Sequence, residues 1–349
     1  NGDYITKDNQ QAVVAGAYAY TLHKTETGDW SLTSAITASP DTPVDPLVPV
    51  TPSEPRYSPS AALYQQYGQA LLDMNSLPTM QQRVGNRYWH AADGTAQSRT
   101  TTSIDGEQTY IENGAGWARV EGSYQRNRPN AGTIDADSTT NRWKMQAGLD
   151  ALLNEDQQGN KLIGGLTAHY GTSSSQVESF FGDGNIDSRG YGVGLTLTWL
   201  QENGFYIDSQ ASATWYKTDF DSDETDRQLA SDNDGFGYAF SVESGKQLKL
   251  NETLRLTPQA QLIYSKVDFD SFTDEFNTHT SLDSADSLRS RLGVSLDHDS
   301  RWLDDTNKIR RSHVYAISNL YYEFLDGTQV DVADVKLKNR PERLWTGLG

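Results

Sequence analysis

Residues able to do chemistry are present in this 349-residue chain, but not at the spacings that catalysis needs. The six histidines, His23, His90, His169, His279, His298 and His313, are scattered, and no two stand at the i, i+4 separation of a helical metal site. There is no cysteine, which excludes disulfides, thiolate zinc sites and a thiol nucleophile. Neither a Gly-x-Ser-x-Gly elbow nor a phosphate-binding glycine loop occurs. The acidic run Asp219, Asp221, Asp223, Glu224 and Asp226 offers oxygen ligands for Ca²⁺. It lacks the turn glycine and closing glutamate of an EF-hand and reads as a solvated loop. No metal, no cofactor and no enzymatic activity are therefore expected. With 29 basic against 47 acidic residues the net charge is −18, so nucleic acid is not an expected partner.

What remains is charge arranged by period two. Arg119, Glu121, Lys144, Asp150, Asp208, Glu243, Arg255, Arg289 and Arg291 share strand faces with Gln, Gly, Ser and Thr, opposite faces of aliphatic residues. The pattern predicts strands at 117–124, 142–152, 162–170, 190–199, 205–216, 236–244, 254–264, 288–296, about 314–324, 329–337 and from 343 onward. In 190–199, for example, Tyr191, Val193, Leu195, Leu197 and Trp199 oppose Gly192, Gly194, Thr196 and Thr198. Aromatic residues such as Tyr124, Tyr170, Trp215 and Tyr264 mark strand ends, as interfacial girdles do. The connections alternate between long (126–141, 171–189, 217–234, 268–286) and short (154–160, 201–204, 246–253). That rhythm belongs to an up-and-down antiparallel transmembrane β-barrel, with loops on one side and turns on the other. Alternation by itself also fits a soluble sandwich whose apolar face is its core. No apolar run reaches the ~18–20 residues of a membrane helix.

Three segments precede these strands. Residues 1–36 read as a β-hairpin, with a turn at Gly28 and Asp29 between two period-two runs. In 37–57, Pro40, Pro43, Pro46, Pro49, Pro52 and Pro55 recur every third residue and predict a polyproline spacer. Residues 58–90 are helical: Ser58 caps, Pro59 opens, and Leu63, Tyr64, Tyr67, Leu71 and Met74 share a face. Gln65, Gln66, Gln69, Asp73 and Asn75 share another. Pro78 interrupts, and a second short turn carries Met80, Arg83, Val84 and Arg87. At ~1.5 Å per residue, 59–77 would run about 28 Å, close to a bilayer's hydrocarbon thickness. It is too polar for lipid and suits a wet pore. The barrel occupies 91–349.

The order of these parts resembles a known family. Ala15 to Leu22 followed by Gly28, Asp29 and Trp30 is similar to the end of an autotransporter passenger β-helix. Tyr57 to Tyr64 with Leu77 to Arg87 is similar to the linker helix of pertactin-like and AidA-like autotransporters, and Trp117, Arg119 and Gly122 to their first barrel strand. The resemblance implies a 12-stranded outer-membrane barrel with an α-helix in its lumen, in a Gram-negative bacterium. It implies type V secretion and anchoring of an N-terminal passenger at the cell surface, with outer-membrane lipid, the passenger itself and the barrel-assembly machinery as partners. The family ends on further strands and a terminal aromatic, whereas this chain stops at Gly349. A chain lacking its closing strands, held as an incomplete assembly substrate, is one expectation from that difference.

Within this reading Tyr64, Tyr67, Arg83 and Arg87 plug the pore, the two arginines pairing with barrel carboxylates. Some relatives release the passenger by asparagine cyclisation inside the pore. Asp73 and Asn75 are the nearest match, although the Asn-Asn pair is absent. The alternatives are a soluble secreted β-sandwich adhesin and an outer-membrane porin or enzyme barrel.

Overall fold

The computed structural model describes residues 4–7, 10–24, 27–34, 55–84, 98–103, 106–111, 114–128, 132–303 and 309–348. Strands β1 (Tyr4–Lys7), β2 (Gln10–Ala15), β3 (Tyr18–Lys24) and β4 (Trp30–Thr33) form a small antiparallel sheet in chain order. Most of the proline-rich stretch lies outside the described residues. The residues flanking it meet, because Ser34 Oγ donates to the Arg56 carbonyl at 3.0 Å.

Helix α1 (Pro59–Met74) begins as its sequence dictates. Ser58 has extended backbone, its Oγ accepts from the Ala61 N–H at 3.3 Å, and Pro59 occupies the first turn, where no N–H is needed. Asn75 ends it. Pro78 separates it from the short α2 (Met80–Val84). Arg87 lies outside the described residues.

After the hairpin of β5 (Ser98–Ser103) and β6 (Gly106–Ile111) comes the main sheet. Its wall strands are β7 (Gly114–Asn127), β8 (Ala136–Glu155), β9 (Lys161–Ser179), β10 (Gly184–Leu200), β11 (Phe205–Ser222) and β12 (Arg227–Lys246). The two-residue β13 (Leu248–Lys249) precedes β14 (Leu254–Phe269), and the equally short β15 (Phe272–Thr273) precedes β16 (His279–Leu303). Then follow β17 (Ile309–Glu323), β18 (Thr328–Val332), β19 (Val335–Asn339) and β20 (Leu344–Leu348). Each wall strand pairs antiparallel with the next, which is the up-and-down order. The sheet curls around α1 and α2, with β7 at one edge and β20 at the other.

Two expectations about the strands need correction. Much of the four long loops is strand: β9 and β10, for instance, pair from Leu200↔Lys161 up to Gly184↔Val177, and only residues 180–183 lie between the two strands. Residues 329–337 are not one wall strand but the β18–β19 hairpin, which pairs with the upper arm of β16. The arms look like loop in sequence because their polarity is reversed. In the lower part of β10, Val193, Leu195 and Leu197 face outward at 54%, 59% and 46% exposure, while Thr196 and Thr198 face inward at 8% and 0%. In its upper arm Asn185, Asp187 and Arg189 face outward, and Ile186 and Ser188 are buried inside. An outward apolar band with a polar interior is inverted relative to a water-soluble sandwich and fits hydrocarbon. From Tyr191 to Trp199 that band is roughly 20 Å tall at ~3.3 Å per residue and 35–45° tilt.

The larger apolar cluster therefore lies above the band, inside a collar made by the arms, while Met80, Val84, Ile163, Leu200 and Tyr206 form a smaller one around α2. Ile134, Val177, Ile186, Phe220, Leu229, Phe269, Phe276, Val330 and Leu337 close around Leu63, Tyr64, Tyr67 and Leu71 of α1. Ala12, Val14, Ala17 and Ala19 of the small sheet join the same core. The 28 Å helix expected within the bilayer thickness instead sits largely in this collar, and the segment 75–84 occupies the lumen at the level of the band.

Candidate functional site

The site is the surface on which α1, Asn75 and α2 meet the wall. Alternate strand residues point inward, so every second side chain of β8 to β17 is available to it. At the top, Tyr64 donates to Asp274 Oδ2 at 2.8 Å and Tyr67 to Asn233 Oδ1 at 2.9 Å, both in the collar. Their rings pack on Phe220, Phe269 and Phe272 with centroids 4.2–5.7 Å apart. Burial holds the Asp274 carboxyl above the usual aspartate range, although the Thr278 and Phe276 amides and the Tyr64 hydroxyl favour its charged form.

One level lower, Asn75 Nδ2 donates to the Tyr238 carbonyl at 2.9 Å and to Ser265 Oγ at 2.8 Å, while Tyr216 Oη donates to Asn75 Oδ1 at 3.1 Å. Asp73 is 3.6 Å from Arg142 and accepts from Gln69. Lys144 Nζ donates to the Ser76 carbonyl at 3.2 Å. The Pro78 carbonyl, left without a helical donor, accepts from Gln210 at 2.8 Å and Gln261 at 3.4 Å. The Met80 N–H, at the start of α2, donates to Glu243 at 3.2 Å. Gln81 Nε2 reaches Asp297 at 2.7 Å.

At the base, Arg83 is wholly buried. Its Nη2 lies 2.5 Å from Asp208 Oδ1 and 3.1 Å from Thr198 Oγ1, and its Nη1 lies 4.0 Å from Asp150. A second centre is Arg291: its Nη2 lies 3.0 Å from Glu243, its Nε donates to Gln261, and its Nη1 donates to Gln259 and Asn319. Tyr206 Oη donates to the other Glu243 oxygen at 2.6 Å. Its ring fits because residue 245 is glycine: a Cβ there would stand 2.6 Å from the ring.

The structure thus brings Arg83, Asp150 and Asp208 together, and Glu243 with Arg291. Arg119 pairs with Glu121 at 2.5 Å and reaches the Gln82 carbonyl at 3.3 Å. Arg289 stays on the wall, 3.9 Å from Glu323 and over the Trp345 ring. Arg255, half-buried, stands opposite Asp297 in the β14–β16 register. Sequence reasoning did not single out Gln210, Gln261, Arg142, Asn233, Asp274 or Asp297. Strand parity marks Gln210, Gln261 and Arg142 as inward, but nothing in sequence says which inward residues meet the helix.

A polar lumen filled by a helical segment, inside a lipid-facing wall, limits the kinship sharply. The sequence model of the autotransporter β-domain matches residues 116–349. The chain belongs to the autotransporter β-domain family. It is 41% identical over 360 residues to the adhesin BmaC autotransporter of Brucella suis biovar 1 (strain 1330), across 100% of this chain and 10% of that protein. This chain accordingly spans about a tenth of that relative's length. The transport unit of the Escherichia coli autotransporter AIDA-I shares the fold, with a TM-score of 0.62 at 15% identity over 84% of this chain and 87% of that one. The translocator domain of NalP from Neisseria meningitidis gives 0.54 at 13% identity over 83% and 94%. The autotransporter β-domain is an outer-membrane translocator for passenger secretion, with the passenger at the cell surface. The family is not typically enzymatic, and its cargo is the chain's own passenger segment.

Proposed function

We propose that residues 59–84 are the resident plug of this autotransporter pore, left in place after the passenger has crossed, and that the β1–β4 sheet is the passenger's end seated on the outer rim. One observation carries the reading: Arg83 is enclosed with its partner Asp208 at 0% side-chain exposure each. A paired charge so enclosed is stable only while the helical segment stays in place. Removing one partner of a buried pair costs about 3–5 kcal/mol. Arg87, which lies outside the described residues, is the second arginine assigned to this lock.

Asn75 is an anchor in this reading rather than a nucleophile, because its amide nitrogen is already committed to wall acceptors. Outer-membrane lipid covers the apolar band, and the barrel-assembly machinery inserts it. The chain itself performs passage and anchoring, with no covalent step.

Single-channel conductance in planar bilayers tests the plug. The parent should stay mostly closed, and Arg83→Ala should open several-fold more often while keeping heat-modifiable mobility. A folded Arg83→Ala barrel as closed as the parent would sink the lock. An Asn75→Ala chain that loses passenger cleavage would reverse the assignment of Asn75.

A further inference from the structure

Among the described residues no backbone pairing joins β7 to β20, the two edges of the wall. A cavity of about 670 Å³ lies along this seam, lined by Gln125 and Arg126 from β7 and by Glu323 and Trp345 from the far side. Yet the two sides are tied together above the apolar band. The Thr133 N–H donates to the Lys338 carbonyl at 2.8 Å, and the Lys338 N–H donates to Thr133 Oγ1 at 2.8 Å. Thr133 belongs to the β7–β8 connection and Lys338 to β19, so this contact crosses the seam.

The helix clasps the same place from inside. Gln65 acts like a strand partner: its Nε2 donates to the Ile134 carbonyl at 2.8 Å, and its Oε1 accepts from the Ile134 N–H at 2.8 Å. Gln66 takes both sides at once, donating to the Ala136 carbonyl at 3.1 Å and accepting from Asn339 Nδ2 at 2.7 Å. Gln65, Gln66 and Asn339 are all buried. Two adjacent helix residues thereby read the backbone of the β7–β8 hairpin and a side chain of the β18–β19 hairpin. Gly132 leaves room for the clasp, since a Cβ there would stand 2.9 Å from Gln65 Nε2 and 3.4 Å from the Lys338 carbonyl.

We propose that Gln65 and Gln66 are seam-positioning residues: the resident helix pins the β7–β8 and β18–β19 hairpins together outside the membrane, independently of strand pairing inside it. The pin requires the helix to sit in the barrel but not to seal it. Cross-linking reads the pin, and conductance reads the plug.

The chain has no native cysteine, so an engineered pair reports alone. Thr133→Cys with Lys338→Cys in the otherwise unaltered chain, folded in outer membranes, should form its disulfide readily under mild oxidation. Adding Gln65→Ala and Gln66→Ala should slow that disulfide about tenfold at unchanged heat-modifiable mobility, and Gln65→Glu, which keeps the acceptor but loses the donor, should fall between. Equal rates in the parent pair and the double-alanine background overturn the proposal. Should the double-alanine chain not reach its folded mobility, Gln66→Ala alone decides, because it releases Ala136 and Asn339 while leaving the Gln65 bonds to Ile134 in place. A slowed disulfide supports the pin, and an unslowed one removes it.

Discussion

Asp274 shows how much one carboxylate organises when every neighbour points at it. It accepts from Tyr64, Phe276 and Thr278, holding the collar's β15–β16 turn onto α1. Tyr64→Phe should cost about 0.5–1.5 kcal/mol, the net worth of one hydrogen bond. Asp274→Ala should cost more, because three buried donors lose their acceptor. Thermal midpoints in detergent compare the two. Burial raises the Asp274 value above that of the unfolded chain. Between ~3.9 and the raised value the folded state holds more protons than the unfolded one, so this residue's contribution falls as pH rises through that window. Asp274→Asn should remove that component. Parallel midpoint profiles for parent and variant would refute it. Arg83 marks the limit of what such residues reveal in sequence. Period two shows that Asp150 and Asp208 face the interior, but the reach from α2 depends on how far α1 is lifted into the collar.

At the scale of elements, wall strands were legible and their arms were not. Outward Leu and Val at alternate positions announce β10 from 191 to 199, whereas its arm carries Asn185, Asp187 and Arg189 outward and looks like loop. The helix was legible from its cap, its Pro78 break and its apolar face. Its depth was not, because the apolar face that fixes it meets collar residues such as Ile186 and Phe220, which sequence assigned to loops. Leu63 is central to this contact and is fully buried. Leu63→Ala should cost about 2–5 kcal/mol. Amide exchange should accelerate in the arms at 177–186 and 216–222, with 191–199 unchanged. Equal acceleration in both zones would mean that collar and band are one cooperative unit.

At the scale of the molecule, the N-terminal sheet is fastened rather than tethered. The Ser58 N–H donates to the Ala17 carbonyl at 2.8 Å and the Ala19 N–H to the Arg56 carbonyl at 2.9 Å. Tyr57 stacks on Tyr18 and meets Phe181 edge-on, each with centroids 5.5 Å apart. Phe181→Ala should loosen this seat by about 0.5–1.5 kcal/mol, raising the proteolysis rate of residues 10–34 roughly two- to twelvefold. An unchanged rate would show that the backbone bonds alone hold the sheet.

The reversal of polarity along each wall strand has a consequence for how the protein tolerates change. Side chains keep one alternation from the foot of β10 to its tip, yet the outward face borders oil below Tyr191 and water above it. A substitution scan along the outward positions would change sign at that line. Aspartate at position 195 should destabilise the barrel, by less than the about 2–4 kcal/mol found for arginine or lysine at a bilayer's midplane. Asp187, only four strand steps above Tyr191, already is that residue and sits there at no such cost. Drift in this gene is thus governed by two opposite rules, and one register line through the sheet decides which applies.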